Sequence, residues 1–494
     1  MATVAADRVV PAESPHEFVK ALTLVDATML VAGAMIGSGI FIVSADIARS
    51  VGSPFWLLVV WIVTGVMTLL GALAYGEMAA MYPRAGGQYV FLREAMGPLM
   101  GFLYGWTLFV VIQTATIAAV LVAFARFLGE LWPAVTPDLY SWFPHHTFLT
   151  SGGPIDVGLS AQRLVALIVV WLLTWINLRG VREGKIIQTT FTIAKTGALA
   201  LLVILGLTIG RNATAIAANF GAGTFVGHAD LGTAFVLAFG AALVGSLFAS
   251  DSWNNVTFAA AEVHNPKRNL PLALALGTGL VTLLYVLTNV SYLFTLPLAG
   301  SAHGATVLER GIQFATQDRV GTAAAQVIFG SSGSTLMAIA ILVSTFGCSN
   351  GIILAGARVY YAMARDGLFF KKVGALNARR VPAAGLVYQG VWASLFCLSG
   401  TYSQLLNYVI FAALVFYVLT TIGLFILRRT KPDVERPYKA VGYPLLPGLY
   451  ILLAATVSII LLISDKTRVQ AVSGLVLVLL GVPVYFLWRR MESS

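Results

Sequence analysis

The chain has 494 residues; 58% are hydrophobic, only 11% are charged, and the mean hydropathy is +0.85. A soluble protein of this length carries charge on about a quarter of its residues. The net charge of +10 does not indicate nucleic-acid binding, because most Lys and Arg residues fall in every second segment between apolar runs. The composition predicts an all-α polytopic membrane protein, with the lipid bilayer as its main surrounding.

Apolar runs long enough to cross a bilayer as helices predict about twelve transmembrane helices. The expected spans are 21–50, 55–81, 98–129, 161–179, 189–210, 232–262, 271–297, 334–364, 383–399, 402–428, 442–464 and 469–489. The basic segments lie inside if the first helix runs outward, so both termini are predicted to be cytoplasmic, in the cytoplasmic (inner) membrane. No cleavable signal peptide is recognised, and the first helix is expected to remain.

Two loops are expected on the outside. Loop 130–160 is long and contains no Lys or Arg. Segment 302–318 is too polar to span the membrane, and its pattern predicts an amphipathic helix lying on the bundle.

The first and sixth helices are predicted to be interrupted within the membrane. Residues 33–41 (GAMIGSGIF) contain three glycines, which favour unwinding. Residues 248–255 (FASDSWNN) place Ser250, Asp251 and Ser252 at mid-membrane depth, where polar groups are costly unless they line a cavity. Both interruptions are therefore expected to face a polar cavity.

The two breaks are five helices apart, and a unit of five spans re-enters the membrane upside down. Helices 1–5 and helices 6–10 are therefore predicted to be inverted repeats whose broken first helices meet at the midplane. The predicted divisions are a cytoplasmic N-terminal segment 1–20, the first repeat 21–210, an external loop 211–231, the inverted repeat 232–428, and helices 11 and 12 with a cytoplasmic C-terminus 429–494.

Several motifs together resemble the amino acid–polyamine–organocation superfamily, and more narrowly its L-type amino acid transporter branch and the prokaryotic relatives of that branch. The similarity begins in the glycine-rich first break and covers nearly the whole chain from residue 21 onward. Its further parts are 71–77 (GALAYGE), 83–89 (PRAGGQY), 247–254 (LFASDSWN), 262–271 (EVHNPKRNLP), 350–367 and 436–439 (RPYK). The resemblance implies a LeuT-type 5+5 inverted repeat and alternating-access transport of amino acids.

A substrate amino acid is expected to dock between the two breaks. Backbone N–H groups of the first break, with the positive end of its half-helix, suit an α-carboxylate; the glycines could instead serve only close helix packing. Carbonyl groups freed in the second break would accept from the substrate ammonium. The resemblance implies that Phe248 covers the substrate and Trp253 forms a nearby wall, and core packing is the alternative for both. The predicted substrate-binding residues are Ile36, Gly37, Ser38, Gly39, Phe248, Ala249, Ser250 and Trp253.

Asp251, beside the second break, has two interpretations: it could contact an amine, or it could cap the following half-helix. Members of the resembling family often have glycine where Ser252 stands, which leaves the size and polarity of the pocket open. Other helices are expected to complete the pocket, and the residues considered are Gln113, Asn350, Asn407 and Phe411.

Lys195 is predicted to lie inside the fifth helix, where a lysine costs about 2.5–3.5 kcal/mol on insertion scales. The resemblance implies that its ammonium takes the position of a sodium ion in sodium-coupled relatives and braces the first break against Ser344 or Thr345. Transport would then be sodium-independent. Two alternatives stay open: a buried lysine could carry a proton, or the side chain could snorkel to the interface.

The sequence has no Ser-His-Asp order, nucleotide loop or metal-ligand spacing, so no enzyme, cofactor or metal site is predicted. Loop 130–160 lacks cysteine, which excludes the disulfide-linked heavy chain that the resemblance attributes to animal relatives. We predict a sodium-independent secondary transporter that exchanges L-amino acids, neutral ones because only Asp251 could face a cationic side chain. The alternative is a proton-coupled permease or exchanger of cationic amino acids or polyamines.

Overall fold

The computed structural model describes residues 18–150, 153–227, 232–399, 402–465 and 467–493, with the backbone alone in 148–150, 153–155, 402–408 and 491–493. Nine helical spans within these ranges are long and apolar enough to cross a membrane. The two interrupted helices and the apolar helix Ala383–Ser399 bring the number to twelve. The prediction of a polytopic all-α membrane protein is confirmed.

The first half contains nine helices and a small hairpin. The helices are α1 (Leu24–Met35), α2 (Ser44–Val51), α3 (Pro54–Met81), α4 (Gln88–Met96), α5 (Pro98–Thr107), α6 (Gln113–Leu131), α7 (Ala161–Leu178), α8 (Val181–Leu207) and α9 (Ala213–Phe220). A π-helical turn, Leu108–Ile112, joins α5 and α6 into one span. The strands β1 (His146–Thr150) and β2 (Gly153–Val157) pair antiparallel in the loop after α6.

The second half contains ten helices. They are α10 (Thr233–Ala249), α11 (Asn255–Phe258), α12 (Pro266–Thr295), α13 (Val307–Arg310), α14 (Val320–Phe329), α15 (Ser332–Arg365), α16 (Ala383–Ser399), α17 (Tyr402–Thr430), α18 (Leu445–Ile463) and α19 (Arg468–Ser493). Short 3₁₀ turns lie at Gly39–Phe41, Ala260–Glu262, Thr316–Asp318 and Lys371–Gly374.

Segment 302–318 differs from the expectation. It has one short α-helix, Val307–Arg310, and a 3₁₀ turn at Thr316–Asp318, so the prediction of one amphipathic helix there is wrong. Gly311, Gln317 and Asp318 all have positive φ, and these turns break the segment before a helix can extend. The unpredicted α14 follows directly.

The two interrupted helices lie at the centre of the bundle. The first half-helix α1 packs against α8, α12 and α15, and α10 packs against α2, α3 and α17. Because apolar helices surround both breaks, the backbone groups freed there need partners from the protein or from a bound ligand.

Candidate functional site

The first break opens where the sequence predicts it. Helix α1 ends at Met35, the backbone becomes extended at Ile36, and α2 begins only at Ser44. The carbonyl groups of residues 33–37 are nevertheless all hydrogen-bonded. The donors are Lys195 Nζ to Gly33 and Ile36, Cys348 Sγ to Ala34, Tyr285 Oη to Met35, and Ser344 Oγ to Ile36 and Gly37.

Two backbone N–H groups of this break, unlike its carbonyls, are not hydrogen-bonded within the described part of the chain. They are the N–H groups of Gly37 and Gly39. With the neighbouring carbonyls occupied, the turn presents donors without competing acceptors. Such a turn suits a small anion such as a carboxylate.

The second break also lies where the sequence predicts it. Helix α10 ends at Ala249, and the chain resumes as the short helix α11. The freed carbonyls were expected near Phe248, Ala249 and Ser250. That of Phe248 accepts from the Asp251 N–H at 3.1 Å, and that of Ala249 accepts from Tyr285 Oη at 3.0 Å. The Ser250 carbonyl oxygen accepts no hydrogen bond among the described residues.

Ser252 has φ of 67°, in the left-handed region that favours glycine. This conformation gives a physical reason why glycine suits the position in the resembling family. The serine found here is accommodated at some cost in backbone strain.

One tyrosine of α12 connects the two breaks. The hydroxyl of Tyr285 lies 3.1 Å from the Met35 carbonyl oxygen and 3.0 Å from that of Ala249, the last residues of the two half-helices. The backbones also approach closely, since a Cβ added at Gly39 would lie 2.7 Å from the Cβ of Ala249. Tyr285 gave no signal in the sequence, because an aromatic residue in an apolar helix is usually core.

This close approach predicts unequal effects of two glycine substitutions. Gly39→Ala would place a methyl group 3.0 Å from the Cα of Ala249, against backbone that cannot yield, and is expected to lower the free energy of unfolding by about 1–3 kcal/mol. Gly37→Ala, whose added methyl would meet only the Cys348 side chain, with Sγ at 3.3 Å, is the control and should cost less. Thermal unfolding in detergent measures both, and equal losses would contradict the interpretation.

Lys195 lies deep in the bundle. Helix α8 begins at Val181, eight residues earlier than predicted, so Lys195 is about four turns from its start. The side chain is 2% exposed, and Nζ lies 2.5 Å from the Gly33 carbonyl oxygen, 2.6 Å from that of Ile36 and 3.2 Å from that of Ser344. The ammonium thus joins the first break to α15 and does not snorkel.

Asp251 is buried and hydrogen-bonded, with Tyr417 Oη donating to its Oδ1 at 2.5 Å. It does not cap α11. The N-cap residue of that helix is Asn254, and no side chain accepts a capping hydrogen bond there. Asp251 and Tyr417 separate two small cavities, each large enough for little more than one water molecule.

The two cavities differ in chemistry. The first is mainly apolar, with Met67, Leu247, Trp253 and Leu414 in its wall. The wall of the second is formed mostly by polar residues, and it includes Gln88, Tyr104, Gln113, Asn254 and Asn255. Asp251 lies in the walls of both cavities.

The remaining predicted pocket residues are only partly brought to these cavities. Gln113 lines the polar cavity and donates to the Ile352 carbonyl at 2.6 Å. Asn350 instead binds Asn177 and the Gly184 carbonyl, and Phe411 is buried but lines neither cavity. The side chain of Asn407 lies outside the described residues.

Ion pairs link the helices at the predicted cytoplasmic end of the bundle. Glu262 and Arg358 form a pair in which both side chains are 1% exposed, with Oε1 3.0 Å from one guanidinium nitrogen. Lys185 binds Asp26 at 2.8 Å, and the Glu262 carbonyl accepts from the backbone N–H of Ala21 at 2.9 Å. The start of α1 is thus tied to α8 and to the segment after α11.

A second cluster of ion pairs, also at the predicted cytoplasmic end, surrounds α4. Lys431 Nζ lies 2.6 Å from Glu94 Oε2, and Arg93 binds both Glu94 and Asp366. Burial by itself raises the pKa of the Glu94 carboxyl, but the hydrogen bonds from Lys431 and Arg93 outweigh it and hold this pKa below its usual value. Glu94 is therefore ionised in this cluster near neutral pH.

Arginines also link segments at the opposite end. Arg49 of α2 donates to the Gln313 carbonyl at 2.6 Å and to Asp318 Oδ1 at 2.7 Å. Arg319 pairs with Glu130 at the end of α6. The segment between α12 and α14 is thus held against α2, the helix that follows the first break.

Comparison with known proteins assigns the chain to a family. A family model described as amino acid permease matches residues 22–482. The chain belongs to the amino acid permease family. This permease is therefore a membrane transporter and not an enzyme, and the resemblance to the amino acid–polyamine–organocation superfamily is confirmed.

Two named relatives cover nearly all of the permease. It is 29% identical over 470 residues to the b(0,+)-type amino acid transporter 1 of Mus musculus, covering 95% of this chain and 88% of the relative. It is 32% identical over 475 residues to the large neutral amino acids transporter small subunit 2 of Homo sapiens, covering 95% and 80%. Amino-acid transport is thus common to the family and to both relatives.

Proposed function

We propose that this permease exchanges neutral L-amino acids across the cytoplasmic membrane by alternating access and without sodium. The observation that carries the proposal is that the carbonyl groups of the first break are bonded within the protein, whereas two of its N–H groups are not. Lys195 binds the carbonyls at which a coupling cation would be held, while the N–H groups of Gly37 and Gly39 stay available.

The two breaks supply complementary groups for a zwitterion. The free N–H groups of the first break receive the α-carboxylate, and the Ser250 carbonyl of the second break receives the α-ammonium. The apolar cavity beside Trp253 favours a neutral side chain. One of the two relatives is named for large neutral amino acids, which agrees with this choice.

Alternating access would require the two ends of the bundle to open in turn. Partly exposed polar contacts, which can break and re-form without disrupting a packed core, link the helices at these ends, as at Lys185–Asp26 inside and Arg49–Asp318 outside. The proposed movement rocks the helices of the two breaks against the rest of the bundle, about the inverted repeats 21–210 and 232–428. Both termini would be cytoplasmic.

The proposal includes no disulfide-linked partner. One relative is named as a small subunit. In this chain, however, segment 130–160 has no cysteine, and both Cys348 and Cys397 are buried free thiols. We therefore propose that it functions without such a chain.

Counterflow tests the proposal. The purified permease is reconstituted into liposomes loaded with unlabelled amino acids, and uptake of labelled leucine is measured with and without sodium and with and without a pH gradient. We expect saturable uptake that requires internal amino acid and is the same in sodium and choline. Uptake driven by the pH gradient into vesicles without internal amino acid would refute exchange and favour proton coupling.

The second candidate function is transport of cationic amino acids or polyamines, coupled to protons or to exchange. It is favoured by one observation: the Asp251 carboxylate borders both cavities and has Tyr417 Oη as a neutral partner. A substrate ammonium or guanidinium could form a charge-assisted hydrogen bond with it.

Asp251→Asn separates the two functions, because it removes the charge while an amide oxygen can still accept from Tyr417. If the substrate is cationic, arginine uptake should fall about tenfold, the loss of one charge-assisted hydrogen bond. If it is neutral, leucine exchange should change less than about twofold and wild-type arginine uptake should be absent. Asp46→Asn, at an exposed carboxylate of α2, is the control.

A further inference from the structure

An apolar groove lies on the side of the helix bundle, away from the two breaks. Its floor is Leu73 of α3, one wall is Leu272 and Ala275 of α12, and the other is Tyr438 and Val441 of the segment before α18. Its volume is about 410 Å³. We call it the α12 groove.

The walls of the α12 groove are held by close packing over α3. Helix α3 packs against both α12 and α18. Gly76 permits this arrangement, since a Cβ there would lie 3.0 Å from the ring of Tyr438 and 3.3 Å from Cβ of Pro271. The groove is therefore formed by the packing of α12 and of the segment before α18 over α3.

Both sides of the groove continue into surfaces that face lipid. On α12, Leu276 and Leu283 are 54% and 58% exposed. On α18, Leu445 and Leu449 are exposed in the same way. Large apolar side chains exposed along spanning helices are expected to contact acyl chains, so the groove opens toward the bilayer.

Two basic residues stand at the mouth of the groove, in the first turn of α12. The guanidinium of Arg268 is exposed and forms no hydrogen bond or ion pair among the described residues; only the backbone N–H of Arg268 is bonded, to the Asn265 carbonyl. Lys267 Nζ lies 2.5 Å from Glu435 Oε2, so its charge is largely offset. The mouth keeps a net positive charge at the N-terminus of a helix, where an anion is also favoured by the helix dipole.

We propose that the α12 groove binds an anionic phospholipid of the inner leaflet. Arg268 binds the phosphate, Lys267 contributes through its shared contact with Glu435, and one acyl chain lies over Leu73. An apolar groove with a cationic mouth matches an amphiphile whose headgroup is negative. A zwitterionic headgroup would bring its own cation against Arg268, and it fits less well.

The site joins two parts of the permease that the transport cycle would move. Helices α3 and α12 pack together and α12 packs on α1, whereas Tyr438 belongs to the connection between α17 and α18. A lipid wedged between them is expected to alter the exchange rate. This consequence rests on the proposed transport function, but the binding itself does not.

Native mass spectrometry of the purified full chain tests the binding. The protein in detergent is titrated with phosphatidylglycerol and, separately, with phosphatidylcholine. We expect tighter binding of phosphatidylglycerol, and a loss of about fivefold in its affinity in Arg268→Ala, the contribution of one basic residue near an anionic lipid surface. Lys371→Ala, at another exposed cytoplasmic-side lysine, should leave the affinity unchanged.

A second pair of variants tests the groove without changing charge. Ala275→Trp fills the groove and should remove the bound phosphatidylglycerol, whereas Leu276→Trp, one residue along and facing lipid, should not. Equal affinity for the two lipids, or retention of the lipid by both Arg268→Ala and Ala275→Trp, would overturn the proposal. Counterflow is measured in a separate experiment, in liposomes of each composition. A lack of transport there would not change the conclusion on lipid binding.

Discussion

Lys195→Met is expected to reduce amino-acid exchange by about 100-fold or more. Methionine occupies a similar volume but cannot donate, so the carbonyl groups of Gly33 and Ile36 lose charge-assisted hydrogen bonds at 2.5 and 2.6 Å. Hydrogen bonds to charged groups contribute about 1.5–3 kcal/mol each. Without them the freed carbonyls of the first break have no donor in an apolar surrounding, and the break should lose its shape.

Counterflow of labelled leucine at equal amounts of folded protein measures this effect. Arg182→Met, an exposed cation at the start of the same helix, removes one positive charge without touching the break and should retain exchange. Full exchange by Lys195→Met would show that the ammonium is dispensable. Exchange that returns only when sodium is added would instead support the interpretation, because the cation would then occupy the site of the ammonium.

Arg358→Met is expected to destabilise the protein by about 3–5 kcal/mol. The substitution leaves the Glu262 carboxylate, 1% exposed, without its partner, and an uncompensated buried charge costs about this much. The melting temperature in detergent should fall clearly, and Glu262→Gln alone should act in the same direction by stranding the guanidinium.

The double variant Glu262→Gln with Arg358→Met is the sharper test. It removes both charges, so it should be more stable than Arg358→Met alone, as expected for a buried pair. Asp465→Asn, which breaks the exposed pair between Arg468 and Asp465, is the control and should cost less than about 1 kcal/mol. Additive losses in the double variant would mean that the two side chains do not depend on each other.

The positions of the two breaks could be predicted because their causes are local. Three glycines in 33–41 and the polar run at 250–252 disfavour a continuous helix wherever the rest of the chain lies. The apolar run 189–210, another local feature, placed Lys195 inside a helix. The start of that helix was misplaced because its first turns carry Arg182, Glu183 and Lys185, and hydropathy finds only the apolar part of a helix that extends beyond the bilayer.

The partners of the breaks could not be predicted. Tyr285 and Tyr417 come from α12 and α17, far along the chain, and each stands in an apolar run where an aromatic residue gives no sign of a polar contact. The partner of Arg358 could not be predicted either, because its pairing with Glu262 depends on how α15 packs beside the second break. The carbonyls to be satisfied were visible in the sequence, but the donors were fixed only by tertiary packing.

The hydroxyl of Tyr285 has one proton to share between the ends of the two half-helices. Two carbonyl oxygens, of Met35 and Ala249, lie about equally far from it, at 3.1 and 3.0 Å, but a phenol has only one proton to donate. At any instant this hydroxyl therefore donates to only one of the two half-helix ends. On the proposed function, an arriving α-ammonium, which carries three protons, would donate to the other end as well as to the Ser250 carbonyl, so substrate binding and the contact between the two breaks would be linked.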